Sequence, residues 1–403
     1  MKKKKVAILG FGTVGSGVYE MLKSNKEKIK GVCGSEITVK YVVDIRDFSD
    51  REDSEIFIKD FGTVLDDPEI GIIAEVIGGV HPAYDFTRAA LEKGKSVVTS
   101  NKELVAKKGS ELLRIAKEHD VNYLFEASVG GGIPVIRPLH NCLAANKIDS
   151  VCGILNGTTN YILTEMFAEG KSFSEALGEA QRLGYAERDP SSDVDGIDAS
   201  RKIAILMALV TDKMIGEEHI YKEGISEIDK NDVAYSAAMG GVIKLVGYGC
   251  RKGERVYAAV APSIVSKKSP MYSVNGVFNA ICAKGNAVGE VMFYGRGAGK
   301  LPTASAVVAD ICDIAKDPGN KNYFWSDAPE DIIIPYSEAT ESYLVRVKVK
   351  DADKLIGSLG GGEKITAAEG ETGVISPYMS NDEFCKRTEG FGIIKKIRIH
   401  KGE

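Results

Sequence analysis

The sequence predicts an α/β protein. A doubly wound parallel sheet comes first, a mixed α+β domain follows, and a small β-α-β-β-α-β module ends the chain. Three observations carry this. Over residues 5–128 short apolar runs alternate with helix-patterned segments. From about 150 to 300 longer helical stretches precede shorter alternating strands. From about 340 to the end, short strand and helix patterns alternate in a chain of about 60 residues.

The elements follow in order. KVAIL (5–9) reads as a buried parallel strand, GFGTVG (10–15) as a turn, and about 14–29 as a helix. ITVKYVVD (37–44) is a second strand, and 24–35 reads as an inserted loop before it. IIAEVIG (72–78) is a third strand. RAALEKGKSVVTSN (88–101) is a helix, a glycine stop and a fourth strand. ELLRIAKEH (111–119) and NYLFEAS (122–128) repeat helix then strand. Helices at 174–183 and 198–210 and strands at 256–260 and 287–293 belong to the middle domain. VVADICDIAK (307–316) is an apolar helix that returns to the first domain. YLVRVKVK (343–350) alternates like a half-exposed strand, and FGIIKKIRIH closes the module. The expected domains are 1–137 (completed by about 303–335), 138–302 and 340–403.

Composition narrows the function classes. Lys and Arg number 52 against 57 Asp and Glu, a net charge of −5, which weakens any case for nucleic-acid or anionic-membrane binding. The longest apolar run, IAILMALV (203–210), is far short of the ~20 residues a membrane span needs. Four lysines before an apolar run resemble a signal peptide, but glycines break the run and no cleavage site follows. Seven cysteines are widely spaced without a CxxC, so free thiols and a reducing cytoplasm are expected, and no zinc site. The five histidines form no paired pattern. The 44 glycines exceed the ~7% average, and they cluster at 10–15, 130–132, 153–157 and 295–299.

GFGTVG has GxGxxG spacing directly after a strand and at the start of a helix, the context that makes this weak motif informative. Gly10 permits the turn, Gly12 lets backbone approach a pyrophosphate, and Gly15 allows close packing. The helix N-terminus adds donors and the positive end of its dipole. This identifies a Rossmann-type dinucleotide-binding domain. Asp44 ends the second strand, where an acidic residue bonds the ribose diol and favours NAD; Arg46, two residues on, could instead meet the 2′-phosphate of NADP. SNKELVA (100–106) follows the carboxyl end of the fourth strand, which puts Ser100 and Lys102 near the nicotinamide end.

GYAERDPSSDVDGIDASRK (184–202) is the densest chemistry in the chain. It reads as a solvated acidic loop with an N-cap, as an incomplete calcium loop lacking its terminal Glu, or as a catalytic segment. Asp198 and Lys202 are i and i+4 and share a helix face at the lip of a buried helix. A partly desolvated, paired lysine suits proton transfer and equally suits structural pairing. EASVGGGIP (126–134) leaves the fifth strand through three glycines; its carbonyls and Glu126 could hold a monovalent cation, or the segment is a plain turn.

Taken together these segments resemble the homoserine dehydrogenase family, over about 1–335. GILNGTTNYI (153–162), the spacing Glu187-x5-Asp193-x4-Asp198-x3-Lys202, and GRGAGKLPTASAV (295–307) carry the resemblance beyond the glycine fingerprint. It implies NAD(P)-dependent interconversion of L-homoserine and L-aspartate 4-semialdehyde in threonine and methionine biosynthesis. Lys202 would move the proton, Lys102 would assist, and Asp198 would position Lys202. Tyr185, Glu187, Asp193, Gly157 and Thr158 would contact the amino-acid substrate. Thr13 and Val14 would lie at the phosphates and Gly299 would close over the cofactor. A sodium ion would be held by Glu126 and the carbonyls of Val129, Gly131 and Ile133. The family is typically dimeric or tetrameric through the second domain. The tail resembles an ACT regulatory module but lacks the usual proline and has a short first helix. Two other readings stay open: another amino- or hydroxy-acid dehydrogenase on the same scaffold, and a non-catalytic dinucleotide sensor.

Overall fold

In a computed structural model of the chain, which describes residues 3–317 and 319–400, six strands form one parallel sheet. They are β1 (Lys3–Leu9), β2 (Glu36–Val43), β3 (Phe57–Ile58), β4 (Ile70–Glu75), β5 (Ser96–Thr99) and β6 (Tyr123–Leu124). Their spatial order is β3-β2-β1-β4-β5-β6, with every pairing parallel. That is the order of a dinucleotide-binding sheet, and its switch point lies between β1 and β4. The inner strands are apolar on both faces because both faces are covered: Val6 to Leu9, Ile72 to Ala74 and Val97 and Val98 are all buried.

The expected helix over 14–29 is two helices, Thr13–Ser24 and Lys26–Cys33, so the second replaces the expected loop. KEKIKGVC looks polar overall, but Ile29 and Cys33 lie one turn apart and are both buried. The expected strand over 122–128 keeps only Tyr123 and Leu124 in the sheet, because the chain turns into a 3₁₀ turn at Glu126–Ser128.

The chain divides into two compact units. The first holds the residues to Lys147 with Ala204–Glu217 and Gly295–Asp327. It therefore contains the helix Lys300–Lys316, which packs on Thr13–Ser24 so closely that a Cβ on Gly17 would meet the Lys300 carbonyl at 2.7 Å.

The second unit holds Ile148–Ile203, Glu218–Tyr294 and the residues from Ala328 onward. Its sheet has ten strands. They are β7 (Ile148–Ile154), β8 (Tyr221–Lys222), β9 (Gly241–Lys252), β10 (Arg255–Ser266), β11 (Phe278–Gly285), β12 (Gly289–Arg296), β13 (Tyr343–Lys348), β14 (Glu363–Ile365), β15 (Glu371–Ile375) and β16 (Ile393–His400). The order is β12-β11-β7-β9-β10-β16-β13-β15-β14, with β8 beside β10.

From β13 onward the chain runs β-α-β-β-α-β as expected, with helices Ala352–Leu359 and Asn381–Thr388. Its four strands lie fourth-first-third-second, and the neighbouring pairs among them are antiparallel. The fourth strand also pairs in parallel with β10, so the tail extends the larger sheet. Among the described residues no helix is long and apolar enough to cross a membrane.

Candidate active site

In the first unit the glycine turn has the geometry a phosphate cradle needs. Gly10 holds φ +93°, and a Cβ on Gly15 would fall 1.9 Å from the Gly10 carbonyl oxygen. A Cβ on Gly12, by contrast, would meet nothing within 4 Å. Gly12 caps the helix Thr13–Ser24 without a side-chain bond, so the cap supplies no side-chain acceptor to the first-turn N–H groups, Thr13 and Val14 among them.

Asp44 follows β2 beside this turn. Its carboxylate accepts from the Phe11 N–H at 2.7 Å and from the Arg46 N–H at 3.0 Å. The Arg46 guanidinium grips it through Nε at 3.0 Å and Nη2 at 2.8 Å. That grip holds the Asp44 carboxyl well below the usual carboxylate range. The two candidates for reading the ribose therefore form one ion pair, with Arg46 the more exposed partner.

Sequence reasoning missed Glu75, at the carboxyl end of β4. It is fully buried, and burial raises its carboxyl above the usual range. It accepts from the Ile77 N–H at 2.8 Å and from the Thr99 hydroxyl at 2.7 Å, which ties β4 to β5 at the edge where such sheets bind ligands. Asn101 then caps the helix Lys102–Glu118 through the Leu104 N–H and donates to the Gly79 carbonyl at 2.6 Å. Lys102 occupies the first position of that helix, after Ser100. A cation at a helix N-terminus opposes the helix dipole, so its placement does not serve the helix.

In the second unit the acidic segment turns through Glu187 and Asp189 without regular structure, then folds as a short helix, Ser191–Val194, followed by the helix Ile197–Thr211. The calcium reading fails there, and among the described residues no group of three or more His, Cys, Asp or Glu is arranged to hold a metal. Lys202 is 7% exposed and Asp198 2%. The Lys202 ammonium donates to Asp198 Oδ2 at 2.7 Å and to the Leu155 carbonyl at 2.7 Å. Asn156, which sequence reasoning also passed over, donates from Nδ2 to Asp193 Oδ1 at 2.7 Å and to Asp198 Oδ2 at 2.9 Å. Thr158 donates to the Tyr185 carbonyl at 2.7 Å, and the Tyr185 ring meets Tyr161 edge-on. Gly157 must lack a side chain, since a Cβ would lie 2.8 Å from the Val277 carbonyl. Glu187 is exposed, with its carbonyl held by Gln181. Asp193, Asp198 and Lys202 are thus brought together with Asn156, Thr158 and Tyr185 form a second contact, and Glu187 stands out in solvent.

The glycine-rich segment departs from expectation. The Glu126 carboxylate accepts from the N–H groups of Val135 (2.6 Å), Ile136 (2.9 Å) and Arg137 (2.8 Å), and Arg137 Nε lies 3.3 Å away. Its oxygens are committed to donors, so the side chain does not fit a cation ligand, and only carbonyls such as those of Val129, Gly131 and Ile133 could serve. A Cβ on Gly131 would fall 2.3 Å from the Gly297 carbonyl oxygen. These two glycine clusters pack on each other. Gly299, at φ +126°, caps the helix Lys300–Lys316 beside them.

A family model described as homoserine dehydrogenase matches residues 134–312, and one described as the NAD-binding domain of homoserine dehydrogenase matches 10–126. The homoserine dehydrogenase of Bacillus subtilis is 39% identical over 381 residues, 93% of this chain and 86% of its own. The crystal structure of a homoserine dehydrogenase from Thiobacillus denitrificans superposes with a TM-score of 0.90 at 35% identity, covering 99% of each chain. A hyperthermophilic archaeal homoserine dehydrogenase mutant in complex with NADPH superposes at 0.66 and 32% identity, over 77% of this chain and 97% of that one.

Proposed function

The chain belongs to the homoserine dehydrogenase family, and from that premise we propose that Lys202, with Asp198, is the proton-handling centre of its reaction. The protein is an NAD(P)-dependent oxidoreductase acting on a CH–OH group, interconverting L-homoserine and L-aspartate 4-semialdehyde. The observation that carries the proposal is the buried Lys202 ammonium held between Asp198 and the Leu155 carbonyl. In the reducing direction the Lys202 ammonium gives a proton to the carbonyl oxygen as the hydride reaches the carbon; in the oxidising direction Lys202, having first released a proton to solvent, takes the hydroxyl proton as the neutral amine while the C–H bond breaks. Asp198 stabilises the charged lysine and fixes its rotamer. Asp193 and Glu187 suit the substrate ammonium, with Gly157, Thr158 and Tyr185 beside it. Lys102 assists at the cofactor end.

NAD(P), when bound at the glycine turn, accepts or supplies the hydride. Gly10, Gly12, Thr13, Val14 and Gly15 would hold its pyrophosphate and Ser100 its nicotinamide end, while Gly299 closes over it. For the ribose, the Asp44–Arg46 pair supports use of both cofactors. Asp44 offers the diol an acceptor, and Arg46 cancels the charge that would repel a 2′-phosphate. The pair therefore supports dual use and not a preference for NAD. A bound sodium ion receives no support from Glu126 and no step runs through one.

We further propose a homodimer or tetramer built on the second unit. Cys282, Cys152, Tyr248 and Ala259 pair in register across four strands and line an open groove of about 410 Å³ on one sheet face, which supports a self-association surface. The tail is proposed as an ACT-like module on its strand order, and the division into cofactor, catalytic and tail domains and a cytoplasmic location are likewise proposed. The test is initial rates of homoserine-dependent NAD and NADP reduction. Turnover with both is expected; none with either would overturn the assignment.

A further inference from the structure

We propose that Asn156 is a positioning residue that divides the two neighbouring carboxylates between their tasks, keeping the buried Asp198 on Lys202 and Asp193 for the substrate ammonium. The inference rests on the roles given above to Lys202, Asp198 and Asp193. Asn156 lies just past β7, next to Leu155, and is 5% exposed. It caps the helix Gly157–Glu169: its Oδ1 accepts from the Thr159 N–H at 2.9 Å and from the Thr159 hydroxyl at 3.1 Å.

That cap fixes the amide. With Oδ1 committed to two donors, Nδ2 must point the other way, so the orientation follows from the helix and not from a choice between two similar atoms. The –NH₂ group has two hydrogens, and they meet Asp193 Oδ1 and Asp198 Oδ2. Those two oxygens are each within hydrogen-bond reach of one nitrogen and are therefore close neighbours. Two carboxylates so placed repel, and one of them would take up a proton or compete for the lysine. A neutral double donor stabilises both as anions without adding a charge. A lysine or arginine there would neutralise the site and weaken its hold on an ammonium substrate.

The chemistry of the alternatives makes the role testable. Aspartate caps helices as well as asparagine does, but it brings a third negative charge and no hydrogen to donate. Serine also caps, but it is too short to reach both carboxylates. Asn156→Asp and Asn156→Ser should therefore keep the fold and lose the positioning. We expect kcat/KM for homoserine to fall by about tenfold or more. The acid limb of its pH profile should move upward by about half a unit or more, because the closely placed carboxylate oxygens then lack their shared neutral donor. Cofactor Kd, which reports the first unit, should stay unchanged.

Lys202→Ala runs in the same assay. If it is inactive while both Asn156 variants show wild-type rates and limbs, the positioning role fails and the proton role of Lys202 stands. If Lys202→Ala turns over normally, the underlying reading fails. A lowered Tm with unmoved pH limbs assigns Asn156 to helix capping alone and overturns the inference. If Asn156→Asp does not fold, Asn156→Ser carries the same comparison.

Discussion

A lysine 7% exposed must be held by acceptors, and at position 202 these are a carboxylate on its own helix and a carbonyl from the chain leaving β7. The i, i+4 spacing of Asp198 and Lys202 was readable from the sequence; the Leu155 carbonyl and the Asn156 amide were not, because they arrive from residues more than forty positions away. Lys202→Ala should lower kcat by about 10²–10⁴, the usual size of a lost general acid–base, with cofactor Kd unchanged. Stopped-flow or steady-state rates well below the variant's Tm check this, since Asp198 loses a buried partner and stability falls too. A second residue-scale test concerns Arg46. Its removal frees Asp44, which stays ionised at neutral pH because the Phe11 and Arg46 N–H groups still bond it. Arg46→Ala should raise KM for NADP by about tenfold while leaving KM for NAD equal or lower, the loss of one charge-assisted phosphate contact. A parallel change in both constants would assign Arg46 elsewhere.

At the scale of elements, the first half of the chain was legible because buried parallel strands are continuous apolar runs and glycines mark their ends. The helix Lys26–Cys33 was not, because only Ile29 and Cys33 turn inward from an otherwise charged segment. Strands β7, β9 and β11 escaped notice for a related reason. Each mixes glycine or lysine into its apolar pattern, and Lys244 in β9 is buried with Asn160, Val274 and Asn275 as acceptors, so it reads as surface and is core. Gly131, a candidate cation ligand through its carbonyl, also serves the close contact between two loops. That contact region also holds Asp310, on the helix Lys300–Lys316, whose Oδ2 accepts from the Glu126 N–H at 2.9 Å. Burial pushes its carboxyl up to about 8, against the pull of Arg137 and with the help of Glu126. The folded state thus keeps a proton that the unfolded chain has released above about pH 4. Stability must fall as pH rises from there towards 8, since the native state binds more protons across that window. Asp310→Asn is neutral at every pH, so its Tm should fall less than the wild type's between pH 5 and pH 8. Scanning calorimetry at both values decides it; equal falls would show that Asp310 is ionised in the native state.

For the molecule as a whole, the question is whether the tail is an appended regulator or part of the body of the second unit. Its β-α-β-β-α-β order was legible, but its attachment was not, since strand pairing between distant segments leaves no local pattern. Two arginines make that attachment. Arg346 on β13 is buried and bonds Glu371 within the tail and Asp229 and Asp232 on and before the helix Lys230–Ala238. Arg398 on β16 reaches Glu223 at 2.6 Å and Glu341 at 2.8 Å and lies over the rings of Tyr221 and Tyr336 at 4.7 and 5.1 Å. Beside it β16 pairs in parallel with β10, so removing the tail would leave a long strand edge open. The tail should therefore melt with the second unit and not before it. Arg398→Met keeps an apolar stem in place of the side chain's methylenes but leaves Glu223 and Glu341 without their buried partner, a loss of about 3–5 kcal/mol. For a unit of this size that lowers Tm by roughly 6–20 °C. Calorimetry should show the second unit's single transition moved down as a whole. A small early transition splitting away, with the main one unmoved, would instead make the tail an independently folding appendage whose contacts contribute little to the unit it adjoins.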